Sequence, residues 1–100
     1  MNKEIRIGLI GAGRWGPNII GAINRLKGTT LLKVADTDQE ALTKLKLKFP
    51  SIDTTKLATE IFEDKNIDAV AICTPVKSHT CLVRGALEKG KHVFVEKPFG

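Results

Sequence analysis

The stretch Gly11–Gly16, with the sequence GAGRWG, places three glycines in the spacing GxGxxG. It directly follows Ile5–Ile10, an aliphatic run typical of a strand, and it opens a segment whose apolar residues recur at helical spacing. Gly11 permits a tight turn there, Gly13 lets the main chain approach a pyrophosphate closely, and Gly16 lets helix and strand pack together. The unpaired N–H groups at the start of the helix favour an anion. The motif therefore predicts a site for the diphosphate of a dinucleotide, with a glycine-rich turn that binds nothing as the alternative.

Two larger side chains belong to the same predicted turn. Arg14 either contacts a phosphate or is solvated, and Trp15 either lines the nicotinamide or substrate side or packs over the turn. We keep both as candidate cofactor-binding residues.

The rest of the chain alternates strand-length apolar runs with helix-length amphipathic segments. The predicted strands are Ile5–Ile10, Leu31–Ala35, a weak Ile52–Thr54, Ala69–Cys73 and Val93–Val95. The predicted helices run from Gly16 to Leu26 before Gly28, from Leu42 to Phe49 before Pro50, from Leu57 to Phe62, and from Val83 to Leu87 before Gly90. This alternation is typical of right-handed parallel βαβ units.

We therefore predict an α/β fold with a doubly wound parallel sheet of about five strands. The first strand is expected at the centre, the second and third on one side of it, and the fourth and fifth on the other. Ligands bind such sheets at the carboxyl ends of the strands, beside the point where the strand order reverses. That rule selects the loops that start at Gly11, Asp36, Thr74 and Glu96.

Asp36 is the candidate for recognising a ribose. It directly follows the second predicted strand and lies 20 residues after Gly16, where a carboxylate accepts hydrogen bonds from the ribose hydroxyls of an adenosine. The same charge repels a 2′-phosphate, and neither Thr37 nor Asp38 supplies a compensating cation. The sequence therefore predicts NAD(H) in preference to NADP(H). A helix-capping role for Asp36 is the alternative, although Asp38 is better placed to cap the helix that follows.

Composition excludes several classes of protein. The chain has 100 residues, 42% of them hydrophobic, and a formal net charge of +5, which fits one globular domain over residues 1–100. No apolar run approaches the roughly 18 residues of a membrane span. Lys44 and Lys48 share a solvated helix face without an aromatic platform, so we expect neither a nucleic-acid nor a membrane partner. Cys73 and Cys81 match no disulfide or zinc spacing, so we expect two buried thiols, a cytoplasmic protein and no metal site.

Two later loops are ambiguous when their residues are taken alone. Thr74, Pro75 and His79 follow the fourth predicted strand, and Glu96 and Lys97 end the fifth. A histidine in such a place is usually structural or solvated, and a lysine at a strand end is usually a surface charge.

Together, the GAGRWG loop, Asp36, the TP…H run of Thr74–His79 and above all the terminal GKHVFVEKPFG closely resemble the N-terminal domain of the glucose–fructose oxidoreductase, inositol dehydrogenase and MocA (Gfo/Idh/MocA) family. The resemblance covers essentially the whole chain, and the EKP element is its most specific part. It implies a Rossmann domain that binds NAD(P) and a separate C-terminal domain that supplies most substrate contacts. It also implies hydride transfer between nicotinamide and a hydroxyl-bearing carbon of a sugar, cyclitol or nucleotide-sugar.

We therefore expect residues 1–100 to be the N-terminal, NAD-binding part of a longer two-domain oxidoreductase, inactive without the rest. A stand-alone NAD(H)-binding or redox-sensing module that acts through a partner protein is the alternative.

The resemblance also implies roles for individual residues. The family's pyrophosphate loop and ribose-binding acid correspond to the glycines and the aspartate described above. Lys97 matches the family's lysine close to the reacting hydroxyl, where it assists proton transfer or orients the substrate, and Glu96 matches a residue near the nicotinamide ribose. The family's loop beside the cofactor is matched by Thr74, Pro75 and His79.

The last predicted strand, Val93–Val95, carries apolar side chains and has no following element in the sequence to cover it. Open strand edges pair with other chains, so we expect the isolated chain to self-associate. The resemblance implies that the full protein is a homo-oligomer and that a small sugar or polyol is its substrate.

Overall fold

A computed structural model describes residues 4–11, 16–25, 27–73 and 79–95 of the chain, with the backbone alone at residues 16–19, 24 and 79. The strands are β1 (Ile5–Ile10), β2 (Thr29–Ala35), β3 (Asp53–Thr55), β4 (Ala69–Ile72) and β5 (His92–Val95). The helices are α1 (Gly16–Arg25), α2 (Gln39–Lys48), α3 (Ala58–Glu63) and α4 (His79–Glu88). Strands and helices alternate along the chain, as the sequence predicts.

The strands form one parallel sheet in the order β3-β2-β1-β4-β5. This confirms the predicted doubly wound order, with β1 at the centre. The carboxyl ends of neighbouring strands are level, because Ile10 pairs with both Ala35 and Ile72. Ala35 in turn pairs with Thr55, and Ile72 pairs with Val95. Residues that directly follow these strands therefore meet along one edge of the sheet, which we call the carboxyl edge.

Helices cover both faces of the sheet. Side chains alternate along a strand, so Leu9 packs into one buried apolar cluster and Ile10 packs into the other. The first cluster includes Ile20 and Ile23 of α1 and Leu42 and Leu45 of α2. The second includes Ile61 and Phe62 of α3 and Ala86 of α4. Strand β4 is buried at all its positions, as expected of a strand covered on both faces.

Two glycines allow close packing on the α3 side of the sheet. A Cβ at Gly8 of β1 would lie 2.6 Å from Cγ2 of Ile61, and one at Gly85 of α4 would lie 2.7 Å from Cε2 of Phe62. Real Cβ atoms essentially never approach other heavy atoms this closely. The absence of a side chain at these positions therefore fixes how near α3 lies to β1 and α4.

Some predicted boundaries are shifted by one or two residues. The second strand begins at Thr29 rather than Leu31, because Thr29 is paired with Ile5. The third strand is Asp53–Thr55, and Ile52 before it is buried in the first apolar cluster.

Two leucines of the predicted helices are exposed, and the predicted burial of one thiol is wrong. Leu57 is 57% exposed because α3 begins only at Ala58, which leaves Leu57 as the residue before the helix. Leu87 is 59% exposed because it follows the fully buried Ala86 and each helical residue turns by about 100°. Cys81 is also exposed, five residues or about 140° around α4 from Ala86. The other thiol, Cys73, is half-buried.

Lys91, the residue before β5, is a buried cation with 8% exposure. Its Nζ donates to the main-chain carbonyl oxygens of Asp64, at 2.8 Å, and of Ile67, at 2.7 Å. These bonds join the loop between α3 and β4 to the amino end of β5. The buried charge is stabilised because its hydrogen-bonding groups find acceptors.

Two ion pairs hold the same loop. Nε of Arg6 lies 3.3 Å from Oδ2 of Asp68, and Nζ of Lys33 lies 3.1 Å from Oδ2 of Asp64. A hydrogen bond from the main-chain N–H of Asn66 lowers the pKa of the Asp64 carboxyl below its ordinary value, and Lys33 lowers that pKa further. The loop therefore stabilises the ionised form of the Asp64 carboxyl group.

The helices in the described part of the chain are all too short or too polar to cross a membrane.

Candidate functional site

Gly11 lies at the carboxyl edge, directly after the central strand β1. It is buried, and its φ of +99° is in the region that side-chain-bearing residues rarely adopt. Its N–H donates to the carbonyl oxygen of Ala35 at 2.8 Å. The first glycine of the motif therefore has the backbone conformation that the predicted tight turn requires, and it lies beside the end of β2.

Asp36 lies next to this turn. Its N–H donates to the carbonyl oxygen of Thr55 at 3.0 Å, so the residue is fixed between the ends of β1 and β3. Its carboxylate Oδ1 accepts the main-chain N–H of Asp38 at 2.8 Å. A carboxylate has about four lone-pair sites, so this bond is compatible with accepting a ligand hydroxyl. Asp36 as a residue is half-buried at the edge of the sheet.

Asp38 is the residue that caps α2. Its backbone is extended, and its Oδ1 accepts the main-chain N–H of Glu40 at 3.0 Å. This confirms the sequence interpretation in which Asp38 caps the helix. Asp38, and not Asp36, therefore caps α2.

The start of α1 is the other part of the candidate phosphate site. The helix begins at Gly16, follows the turn at Gly11, and is ten residues long. The N–H groups of its first turn have no intrahelical acceptor and lie at the positive end of the helix dipole. Gly13, Arg14 and Trp15 lie outside the described residues.

The other side of the carboxyl edge follows β4 and β5. The N–H of Cys73 donates to the carbonyl oxygen of Ile10 at 2.8 Å, which aligns the end of β4 with the turn at Gly11. His79 is the first residue of α4, and its side chain is not among the described ones. The remaining predicted site residues also lie outside the described part of the chain: Thr74, Pro75, Glu96 and Lys97.

Thr55 is a residue of this region that the sequence did not single out. Its carbonyl oxygen accepts the N–H of Asp36, and its Oγ1 accepts the N–H of Leu57 at 3.2 Å. The sequence contains only a weak signal for the position of Thr55. The strand β3 has only three residues, and its register is defined by its pairing with β2.

Two further features of the described residues do not contribute to the candidate site. A groove of about 640 Å³ between α3 and the start of β5 lies at the opposite, amino edge of the sheet, and its lining includes Phe62, Asp68 and Lys91. Within the described ranges, no group of three or more His, Cys, Asp or Glu residues could hold a metal ion.

A parallel sheet in this order, a positive-φ glycine after the central strand and an acid after its neighbour define a dinucleotide-binding α/β domain. The chain belongs to the Gfo/Idh/MocA oxidoreductase family, whose NAD-binding Rossmann-fold model matches residues 5–100.

Similarities to individual proteins support the assignment of the chain to this family. An uncharacterized oxidoreductase of Escherichia coli, YdgJ, is 38% identical to this chain over an alignment of 104 residues. The alignment covers 99% of this chain and 28% of that protein. Scyllo-inositol dehydrogenase from Lactobacillus casei, solved with NAD(H) and scyllo-inositol, is 30% identical with a TM-score of 0.86 over 98% of this chain and 29% of its own. The WlbA dehydrogenase from Bordetella pertussis, solved with NADH and UDP-GlcNAcA, is 31% identical with a TM-score of 0.87 over 96% of this chain and 29% of its own. The chain thus spans less than a third of the length of these relatives.

Proposed function

We propose that the chain binds NAD(H) as the dinucleotide-binding part of an oxidoreductase. The reaction of the whole protein is hydride transfer between nicotinamide and a hydroxyl-bearing carbon of a sugar, cyclitol or nucleotide-sugar. Family membership supports the cofactor class, and the inositol and nucleotide-sugar ligands of two relatives support the substrate class.

The single observation that carries the proposal is the placement of Gly11 beside Asp36. The turn at Gly11 leads to the start of α1, where main-chain N–H groups suit a diphosphate. The Asp36 carboxylate follows the neighbouring strand, where it suits a ribose diol. One adenosine diphosphate group spans these two positions, because neighbouring strands are about 4.8 Å apart.

The acidic residues after β2 support NAD(H) over NADP(H). Asp36 would meet a 2′-phosphate directly, and the exposed Asp38 and Glu40 add negative charge at the start of α2. Two unit charges about 4 Å apart interact by roughly 4 kcal/mol at an effective dielectric constant of 20. Residues 36–40, all of which the structure describes, include no cation to offset that repulsion.

The remaining roles follow from the family resemblance. We assign proton transfer or substrate orientation to Lys97 and a contact near the nicotinamide ribose to Glu96. Cofactor contacts are assigned in the same way to Gly13, Arg14, Trp15, Gly16, Thr74, Pro75 and His79.

Hydride transfer needs donor and acceptor held within about 3–3.5 Å with water excluded. A single open sheet does not enclose a sugar in this way. We therefore expect the 100-residue chain alone to bind cofactor and to show no turnover of sugars or polyols. Substantial NADH production from any polyol by the purified chain would contradict this.

Titration of the chain with NADH, followed by fluorescence and calorimetry, tests the proposed function. Gly11→Ala forces a side chain into a positive-φ turn at the site and is expected to weaken NADH binding about tenfold or more. Gly28→Ala is the matched control, because Gly28 has a φ of +85°, lies before β2 at the other edge and has open space around it. Both variants bear a similar backbone strain of about 1–2 kcal/mol. Absence of NADH binding by the unaltered chain, or equal loss in the two variants, would reject the proposal.

A further inference from the structure

The groove at the amino edge of the sheet is a cavity that the proposed function does not use. Its volume of about 640 Å³ is typical of small-molecule sites. One wall is the loop between α3 and β4, which includes Ile67 and Asp68, and the other is the turn between α4 and β5, which includes Lys89 and Lys91. We call this cavity the amino-edge groove. Volume alone does not define a binding site, but the groups that line a cavity can.

The ammonium group of Lys91 has one N–H more than it has acceptors. An ammonium carries three donors, and two of them go to the carbonyl oxygens of Asp64 and Ile67, at 2.8 and 2.7 Å. Among the residues that the structure describes, none supplies a third acceptor. Lys91 is only 8% exposed, and a buried charged donor without an acceptor is costly. The third donor therefore needs an acceptor from outside the described chain, and the groove that Lys91 lines gives access to it.

The lining of the amino-edge groove carries more positive than negative charge. Its lysines and acids are Lys65, Lys89, Lys91, Glu63 and Asp68. The Asp68 carboxylate accepts the main-chain N–H of Arg6 at 2.9 Å and lies 3.3 Å from its Nε, so Arg6 offsets that negative charge. An anion in the groove is therefore attracted overall, and the exposed Glu63 opposes it.

The main chain of the turn that forms one wall is fixed by its own hydrogen bonds. The N–H groups of residues 89–92 donate to the carbonyl oxygens of Ala86, Leu87 and Asp68 at 3.0–3.2 Å. Because these main-chain donors are occupied, side chains are the donors that remain for a ligand on this wall. The wall is also formed before a ligand arrives, which reduces the cost of binding.

We propose that the amino-edge groove binds a small oxyanion, a phosphate or a carboxylate. An oxygen of the anion accepts the third N–H of Lys91, and the exposed Lys65 and Lys89 balance the rest of its charge. Hydrogen bonds between an ammonium and an anionic oxygen are about twice as strong as neutral ones. The site lies at the opposite edge of the sheet from Gly11 and Asp36, so it is separate from the proposed dinucleotide site and does not depend on it.

NMR titration of the isotope-labelled chain with inorganic phosphate and, separately, with succinate tests the proposal. Ionic strength is held constant, and NADH is present to occupy the carboxyl edge. Saturable shift changes are expected at the main-chain amides of residues 63–68 and 89–92, with a Kd on the order of 1 mM. The anion that binds more tightly distinguishes a phosphate ligand from a carboxylate ligand.

Exposed charges at the groove give variants that should fold normally. Lys89→Gln is expected to weaken anion binding about two- to threefold, because it removes a cation from the lining. Glu63→Gln should tighten binding by about the same factor, because it removes the opposing charge. Lys44→Gln is the matched control, since it makes the same charge change at an exposed position on α2, and it should leave the affinity unchanged.

Lys91→Met is expected to weaken anion binding about tenfold or more, because it removes the central donor. Since this substitution is also expected to destabilise the fold, the Lys89 and Glu63 variants decide the test if Lys91→Met does not fold.

Three results would overturn the inference. The first is the absence of saturable shift changes with both anions, which would show that water completes the bonding of Lys91. The second is a set of shift changes confined to the carboxyl edge. The third is equal affinity in Lys89→Gln and Lys44→Gln. Failure of the chain to bind NADH would reject the proposed function alone, because the shifted amides identify the groove directly.

Discussion

Oδ1 of Asp36 accepts the main-chain N–H of Asp38 at 2.8 Å, so the candidate ribose-binding carboxylate also closes the turn between β2 and α2. Replacing Asp36 with alanine would remove the turn bond and the charge together. An asparagine retains a side-chain oxygen for the Asp38 N–H and removes only the charge. The two contributions can therefore be separated by the choice of substitution.

Asp36→Asn is expected to bind NADH about tenfold more weakly and NADPH more tightly than the unaltered chain. The reason is that a charged acceptor for the ribose is lost and the repulsion of a 2′-phosphate is removed. Asp38→Asn is the control, because it retains the cap of α2 while removing a charge two residues away. Calorimetric titration with both cofactors measures the ratio of affinities. An unchanged ratio in Asp36→Asn would remove Asp36 from cofactor discrimination.

Gly8→Ala is expected to destabilise the fold by about 1–3 kcal/mol. Its Cβ would lie 2.6 Å from Ile61, which is fully buried, and 3.0 Å from Ile67. Gly21→Ala is the control, because a Cβ there meets nothing within 4 Å inside helix α1, and alanine should stabilise it by about 0.5–1 kcal/mol. Urea unfolding measures both changes. Equal stability of the two variants would show that α3 does not pack closely on β1.

Lys91→Met is expected to cost about 1–3 kcal/mol of stability. Methionine retains most of the aliphatic stem but leaves the carbonyl oxygens of Asp64 and Ile67 without the ammonium group that they share. Lys89→Met is the control, because Lys89 is exposed two residues earlier. The difference between their urea midpoints measures the contribution of the buried cation. Midpoints that coincide would show that water satisfies these carbonyls equally well.

The Asp64 carboxyl gives the fold an acid-sensitive stability. Its pKa in the folded chain is lowered below the ordinary 3.8, first by the Asn66 N–H and then by Lys33 against the opposing effect of burial. The folded state therefore binds fewer protons than the unfolded state in this range. The resulting stabilisation is full above the ordinary pKa and is lost as pH falls through the lowered one.

Asp64→Asn should consequently be less stable than the unaltered chain at pH 6, with a smaller difference at pH 3. Urea midpoints at the two pH values measure this change. A difference that is the same at both values would show that folding does not lower the pKa of Asp64.

The sequence predicted the sheet order and the placement of Gly11 and Asp36 at the carboxyl edge because these depend on local patterns. The apolar run of β4 and the turn chemistry of Gly11 are local properties, as is the capping oxygen of Asp38. The parallel βαβ rule then orders the strands without any knowledge of side-chain contacts. Neither the strand order nor the identity of the helix cap required correction.

Long-range contacts explain what the sequence could not predict. Lysine is seldom buried, yet Lys91 is buried because it reaches a carbonyl oxygen 27 residues earlier in the chain. Leu57 has helical spacing with Ile61, but the Thr55 hydroxyl takes its N–H and α3 begins one residue later. Periodicity within a segment contains no information about such partners.

The outer strand β5 presents apolar side chains at an open edge. Among the described residues, β5 pairs only with β4, while Phe94 is 61% exposed and Val95 is 43% exposed. The strand contains neither lysine nor proline, the residues that commonly protect an edge from pairing with another chain. β3, at the other edge, has only three residues, two of them half-buried threonines.

The purified chain is therefore expected to self-associate through β5 as its concentration rises. Phe94→Lys should shift the association to about tenfold higher concentration, because a charge at the edge opposes strand pairing. Leu47→Lys is the control, because Leu47 is 80% exposed on α2 and has no strand edge beside it. Sedimentation velocity over a concentration series separates the two variants. A monomer at every concentration, or equal weakening by both substitutions, would show that the β5 edge does not mediate association.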